Sequence, residues 1–154
     1  MSLTIIPFEP RYAGNFKALN IAWLERYFYV EPKDEILLEN CKASIIDTGG
    51  YIFFARYNGE IAGCFSLIKL MDKQYELGKM AVDPQFQGLK IGQQLLEFAI
   101  AFAKENNWAK LLLYSNTKLD SALHIYRKYG FREVVLEKDL PYARSDIKME
   151  MEIN

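Results

Sequence analysis

The stretch Gln87-Gly88-Leu89-Lys90-Ile91-Gly92 has the residue types of an anion site. It follows a β-rich run and opens a helical one. A helix N-terminus presents unpaired N–H groups and a partial positive charge. Glycine lets a phosphate approach that backbone, and Lys90 adds a mobile charge. The local reading is a phosphate or pyrophosphate site, or else an ordinary strand-to-helix turn. The stretch matches neither G-x-x-x-x-G-K-[ST] nor G-x-G-x-x-G. Other reactive side chains are few. Two cysteines, Cys41 and Cys64, supply neither a disulfide framework nor a zinc site. With His124 as the one histidine, a His-based triad would need unusual partners, and no metal is expected.

The elements around this loop follow from periodicity and turn residues. Leu3 to Phe8 reads as a short strand closed by Pro7 and Pro10. Phe16, Leu19, Ala22 and Trp23 recur at helical spacing to about Phe28. Pro32 with Asp34 and Glu35 starts a second helix that ends before Gly49-Gly50. Tyr51 to Tyr57 and Ile61 to Leu70 flank Asn58-Gly59, a strong hairpin signal. A third strand of this meander runs from about Gln74 to Val82, broken by Asp83-Pro84. A long helix begins near Lys90 and buries Ile91, Leu95, Phe98, Ala99 and Phe102. Leu111 to Ser115 is a buried strand of the parallel kind, and Ser121 to Tyr129 a helix stopped by Gly130. Arg132 to Lys138 and Ile147 to Ile153 form a last antiparallel pair. The order β-α-α-β-β-β-α-β-α-β-β is an α/β class with a mixed sheet and helices on its faces.

Size and charge narrow the function classes. The 154 residues suit a single domain, 1–154, and 51% are apolar. The longest purely apolar run is six residues, Phe98 to Ala103, where a membrane span needs about 20. No membrane partner is expected. Met1 to Pro10 carry no positive charge, which predicts no secretory signal peptide and a cytoplasmic location. Nineteen basic and twenty acidic residues leave a net charge of −1, with no basic half to hold nucleic acid. An enzyme or binding module for a small ligand remains.

Two motifs then carry a family resemblance. The run Met80 to Leu96 resembles the acetyl-CoA-binding motif of the GNAT superfamily of N-acetyltransferases, whose core is [QR]-x-x-G-x-[GA]. Gln87 fills its first position and Gly92 its last. Lys90 stands at the middle glycine, and Gly88 supplies glycine two residues earlier. That change keeps the amide donor and removes free space. Downstream, Ala122 to Phe131 is similar to the superfamily's A-x-x-x-Y-x-x-x-G-F signature, with every fixed position filled.

The resemblance implies the GNAT fold and acetyl-CoA as co-substrate. It implies direct attack of an amine on the thioester, without an acyl-enzyme. Tyr126 would be the general acid for the leaving thiolate. Met80, Ala81 and Val82 would run beside the pantetheine arm and offer an N–H to the carbonyl oxygen. Gln87, Gly88, Leu89, Lys90, Ile91, Gly92 and Gln93 would hold the pyrophosphate. Asn116 is a cofactor contact or a turn cap, and Tyr129 packs or touches cofactor. Glu76 is the candidate base, or else a charged residue near a strand start; its strand parity is shared with Met80 and Val82, while Lys79 falls on the other parity, in solvent. Residues 11–45 and the last hairpin, with Trp23 to Tyr29 and Tyr142 to Asp146, should build the acceptor side. The expected reaction is acetylation of a small-molecule primary amine. The alternatives are a protein N-terminal or lysine acetyltransferase, and an acetyl-CoA sensor without catalysis. A homodimer is compatible with this reading.

Overall fold

The Asn58-Gly59 turn has φ of 49° and 83°, the double positive φ that a tight hairpin needs. It joins β2 (Tyr51–Tyr57) to β3 (Glu60–Met71). The computed structural model describes residues 3–140 and 142–153. β1 (Leu3–Pro7) pairs antiparallel with β2, and β4 (Gln74–Val82) with β3. β5 (Lys110–Ser115) lies parallel to β4. β7 (Ile147–Glu152) and β6 (Arg132–Val134) complete a seven-stranded sheet of order β1-β2-β3-β4-β5-β7-β6.

Helices cover both faces. α1 (Ala13–Tyr27) and α2 (Pro32–Glu39) pack on one face through Phe16, Leu24, Leu37 and Leu38, against Ile52, Phe54 and Cys64 of the sheet. α3 (Ile91–Glu105) and α4 (Asp120–Lys128) pack on the other through Ile91, Leu95, Ala99 and Leu123, against Phe53, Phe65 and Leu111. Phe53 and Phe54 sit side by side in sequence and in opposite cores, as the two-residue period of a strand requires.

Two boundaries differ from the sequence expectation, and the start of the long helix near Lys90 agrees with it. The helix opened by Pro32 stops at Glu39, because Asn40 adopts φ −139° and ψ 64°, and a separate π-type turn covers Lys42–Ile46. α3 begins at Ile91, and Lys90 caps it in the left-handed region at φ 57°. β6 ends at Val134 instead of Lys138. Its ladder with β7 stops at the pair Val134–Lys148, one residue short of the β7 start at Ile147, and Val135 is 89% exposed.

Two irregularities shape the middle of the sheet. β4 and β5 pair only at Gln74–Glu76 with Lys110–Leu112, and part beyond that point. In β4, Gly78 faces Ser66 and Ala81 faces Cys64, so Lys79 and Met80 together oppose Phe65. This is a β-bulge, with Lys79 at φ 52°.

Candidate active site

The gap between β4 and β5 opens a cavity of about 310 Å³ through the plane of the sheet. Gly78 to Val82 line one wall and Leu113 to Asn116 the other. Gly92 and Tyr126 reach it from the α3/α4 face. Trp23, Arg26, Phe28 and Arg144 reach it from the α1 side.

On the α3/α4 face the polar groups are open. The first amide of α3 with a helical acceptor is Gln94, which donates to Lys90 O at 3.1 Å. The amides before it, from Lys90 to Gln93, are those a helix start leaves without an intrahelical acceptor. Gly88, at φ 86°, has nothing within 4 Å of where a Cβ would stand. A Cβ on Gly92 would meet only Val82 Cγ2, at 3.9 Å. The loop is therefore a clear-sided cradle of donors beside the cavity, the arrangement a phosphate fits. The side chains of Leu89 and Lys90 are exposed.

Tyr126 packs edge-on to Phe131, and among the described residues its hydroxyl has no hydrogen-bond partner. Burial pushes that phenol's pKa up, which keeps its proton available for donation. Tyr129 is engaged instead: its hydroxyl accepts from Gln93 Nε2 at 2.8 Å and donates to Glu97 at 2.5 Å. The Asn116 amide is also committed. It donates to Arg144 O at 2.7 Å and accepts from Lys118 N at 2.9 Å. His124 is exposed, on the far side of α4.

The opposite face is closed on itself. Asp34, fully buried on α2, accepts from Lys79 Nζ at 2.5 Å and from both Arg144 guanidinium ends at 2.7 and 2.8 Å. It also caps its own helix by accepting from Glu31 N at 2.9 Å. Glu31 accepts from Ala143 N and from Arg144. Lys79 donates as well to the Tyr142 hydroxyl at 3.1 Å. Burial alone would raise the Asp34 pKa, but its bonds to Arg144, Lys79 and the Glu31 amide together hold it below the ordinary carboxylate value. Burial pushes the Lys79 ammonium down, and Asp34 offsets only part of that. This cluster ties α2, the β4 bulge and the loop before β7 into one wall.

The bulge corrects two sequence expectations. Tyr75 and Leu77 point into the α3/α4 core, and so do Met80 and Val82. The extra residue shifts the alternation by one, so Glu76 shares its side with Lys79 and not with Met80 and Val82. Lys79 is not in solvent either: its side chain is 6% exposed. Glu76 lines a small recess of about 60 Å³ beside the main cavity, with Tyr114, Tyr142 and Lys79. The two spaces share Gly78, Lys79 and Arg144 as walls. Burial raises the Glu76 pKa above the ordinary value, against the pull of Lys79 and Lys33. The recess has room and polar partners for water.

No cysteine serves this site as a nucleophile. Cys41 and Cys64 are both buried, and burial pushes the Cys64 thiol up to about 12. A thiol of that pKa is inert at neutral pH.

A family model described as an acetyltransferase (GNAT) domain matches residues 48–133. The chain belongs to the GNAT acetyltransferase family. A crystal structure of a GNAT-family acetyltransferase from Staphylococcus aureus Mu50 superimposes with a TM-score of 0.87 at 26% identity, over 99% of this chain and 100% of that one. The fold is shared too with the PaiA N-acetyltransferase of Thermoplasma acidophilum, solved in complex with coenzyme A. That match has a TM-score of 0.77 at 19% identity, over 99% of each chain. The N-alpha-acetyltransferase RimI of Mycobacterium tuberculosis is 33% identical over 87 residues, 54% of this chain and 53% of that protein. The chain spans about half or less of the length of the curated relatives it matches.

Within this GNAT domain the two motifs meet at one cavity: Gln87 and Gly92 from the first line it together with Ala122 and Tyr126 from the second. Asp34 and Glu31 escaped the sequence reading as site-wall residues. Asp34 was legible as a helix-start acid, which it is, but nothing local signals that it also holds a lysine 45 residues away and an arginine 110 residues away.

Proposed function

We propose that this GNAT domain transfers an acetyl group from acetyl-CoA to the primary amine of a small molecule, by direct attack. The observation that carries the reading is the cavity through the parted strands, with open helix-start amides and the unbonded Tyr126 hydroxyl on one face and a separate polar wall on the other. When bound, acetyl-CoA supplies an acetyl group activated as a thioester. The amides of the Gln87–Gln93 loop suit its pyrophosphate, with Gly88, Leu89, Lys90 and Ile91 contributing backbone and Gly92 leaving the approach clear. The edge of β4 from Met80 to Val82, which pairs with no strand on its β5 side, has the backbone donors to hold a carbonyl oxygen. Tyr126 donates the proton that a departing thiolate needs. Glu76, its pKa raised by burial, takes the amine proton through water in the recess. Asn116 acts through the Arg144 loop that it holds, and Tyr129 through Gln93.

A second reading is acetylation of a protein N-terminus, which the similarity to RimI favours. Thiol release from acetyl-CoA, measured with a panel of small amines and of peptides with free N-termini, separates the two. Turnover confined to peptides would overturn the small-molecule reading. Binding of acetyl-CoA with no turnover on any amine would make the domain a sensor.

A further inference from the structure

The cavity's charges are one-sided. Arg26, Lys79 and Arg144 line it, and no Asp or Glu is among the described residues on its lining. Two of the three cations are already neutralised. Lys79 and Arg144 are held by Asp34 and Glu31, whose side chains are 0% and 6% exposed and lie behind the wall. Arg26 is different. Among the described residues it has no carboxylate partner, and its guanidinium sits 5.4 Å from the centre of the Tyr27 ring. Another nearby cation, Lys118, is committed to Tyr27 O at 3.2 Å and to the face of Phe28 at 4.2 Å. Glu76 faces the adjoining recess rather than the cavity.

Arg26 is an exposed residue of α1 that borders the cavity across the sheet from the α3 loop and Tyr126, so it stands on the acceptor side. A simple ammonium ion entering here meets an unbalanced positive charge and no counter-charge. An amine that carries its own carboxylate is neutral overall, and its carboxylate matches the planar fork of a guanidinium. The same positive charge lowers the pKa of the entering ammonium, and only the neutral amine can attack. We propose that Arg26 is a specificity-determining residue that recognises the carboxylate of a small amino-carboxylate acceptor. Polyamines and amines that carry no carboxylate are then poor acceptors. The inference rests on the acetyl-transfer reading for its chemistry, and its test separates the two.

Short ω-amino acids and their carboxamides serve as matched acceptor pairs. The wild-type domain should favour the acid over the amide by about tenfold in kcat/KM, expressed in KM, as fits a charged hydrogen-bonded pair. Arg26→Gln should bring that ratio to about one, and Arg26→Lys should keep part of it. Acetyl-CoA affinity by calorimetry and the melting temperature should match across the three proteins. A wild-type ratio near one, or a preference undiminished in Arg26→Gln, overturns the inference. A fall in acetyl-CoA affinity in Arg26→Gln would put Arg26 on the cofactor side and overturn it as well. If acetyl-CoA binds and no amine turns over, acetyl transfer fails, and calorimetry of the amino acid against acetyl-CoA-loaded protein decides the inference. Binding lost in Arg26→Gln upholds it, and no binding to wild type overturns it.

Discussion

The two faces of the parted sheet handle polar groups in opposite ways. On the α3/α4 face, amides at the helix start and the Tyr126 hydroxyl have no protein partner among the described residues and border open space. On the α1/α2 face, Asp34, Lys79, Arg144, Glu31 and Tyr142 bond one another. Unpaired donors are stable beside a cavity because water or ligand can satisfy them, so they mark where a ligand belongs. A closed ionic cluster marks a wall: its charges hold three chain segments in place and leave little to offer a ligand. Function on the first face should then be sensitive to single polar groups, and stability on the second.

The largest expected effect tests the closed face. Asp34→Ala leaves Lys79 and Arg144 buried without their shared carboxylate, and should destabilise the fold by about 3–5 kcal/mol, measured by urea denaturation. The same carboxylate sets an acid limit. Its folded pKa is depressed, so its contribution is fully present above the unfolded value of about 3.9 and is lost as pH falls through the folded value. Asp34→Asn should flatten the acid end of the stability profile below about pH 4. Loss of under about 1 kcal/mol in Asp34→Ala would mean that the cluster is a surface-like pair and the contrast between the faces is false.

The open face is tested by its hydroxyl. Tyr126→Phe keeps the ring against Phe131 and removes one donor. Single-turnover acetyl transfer should fall by about 10²-fold or more while acetyl-CoA affinity barely moves. A packing tyrosine would instead keep its turnover and lose about 1 kcal/mol of stability. Glu76→Gln should lower kcat/KM by a similar factor, about 10²-fold, and remove an acid limb that lies above the ordinary carboxylate value. An unchanged pH profile in that variant takes the base role from Glu76.

Smaller effects sharpen the reading of the loop. Gly92 has room for a side chain, so Gly92→Asp should fold and place a negative charge at the cradle. Calorimetry should find acetyl-CoA bound at least about tenfold more weakly, or 1.4 kcal/mol. Equal affinity would remove the pyrophosphate from this loop. Lys90 holds a left-handed φ that glycine adopts without strain. Lys90→Gly should therefore gain stability, by less than about 1 kcal/mol once glycine's extra chain entropy is counted, seen as a higher melting temperature. Destabilisation would show that the lysine side chain contributes to the loop.

Much of this was legible locally. The Asn58-Gly59 hairpin, the β4 limits at Gln74 and Val82 and the Asp83-Pro84 break each rest on backbone preferences of two or three residues, and they stand as read. The glycine loop and the Tyr126 motif were legible in the same way, since a helix start and a fixed i-spacing are sequence-local. Glu76 was legible as an acid on β4, though not by which face it takes.

The facing of β4 was decided only in three dimensions. Strict alternation puts Glu76 with Met80; the bulge at Lys79 reverses that, and a lysine gives no sign that it will adopt φ 52°. The bulge forms where Lys79 can reach Asp34, 45 residues earlier in the chain, and the same carboxylate takes Arg144 from 110 residues later. By itself the sequence determined the order of elements, the two motifs and the family they point to, because those depend on neighbours along the chain. The tertiary structure alone decided which of the cavity's cations are neutralised and which, among the described residues, has no carboxylate partner. Pairing depends on approach through space, so Lys79 and Arg144 disappear into a buried cluster while Arg26, as cationic in sequence as either, remains open to the cavity.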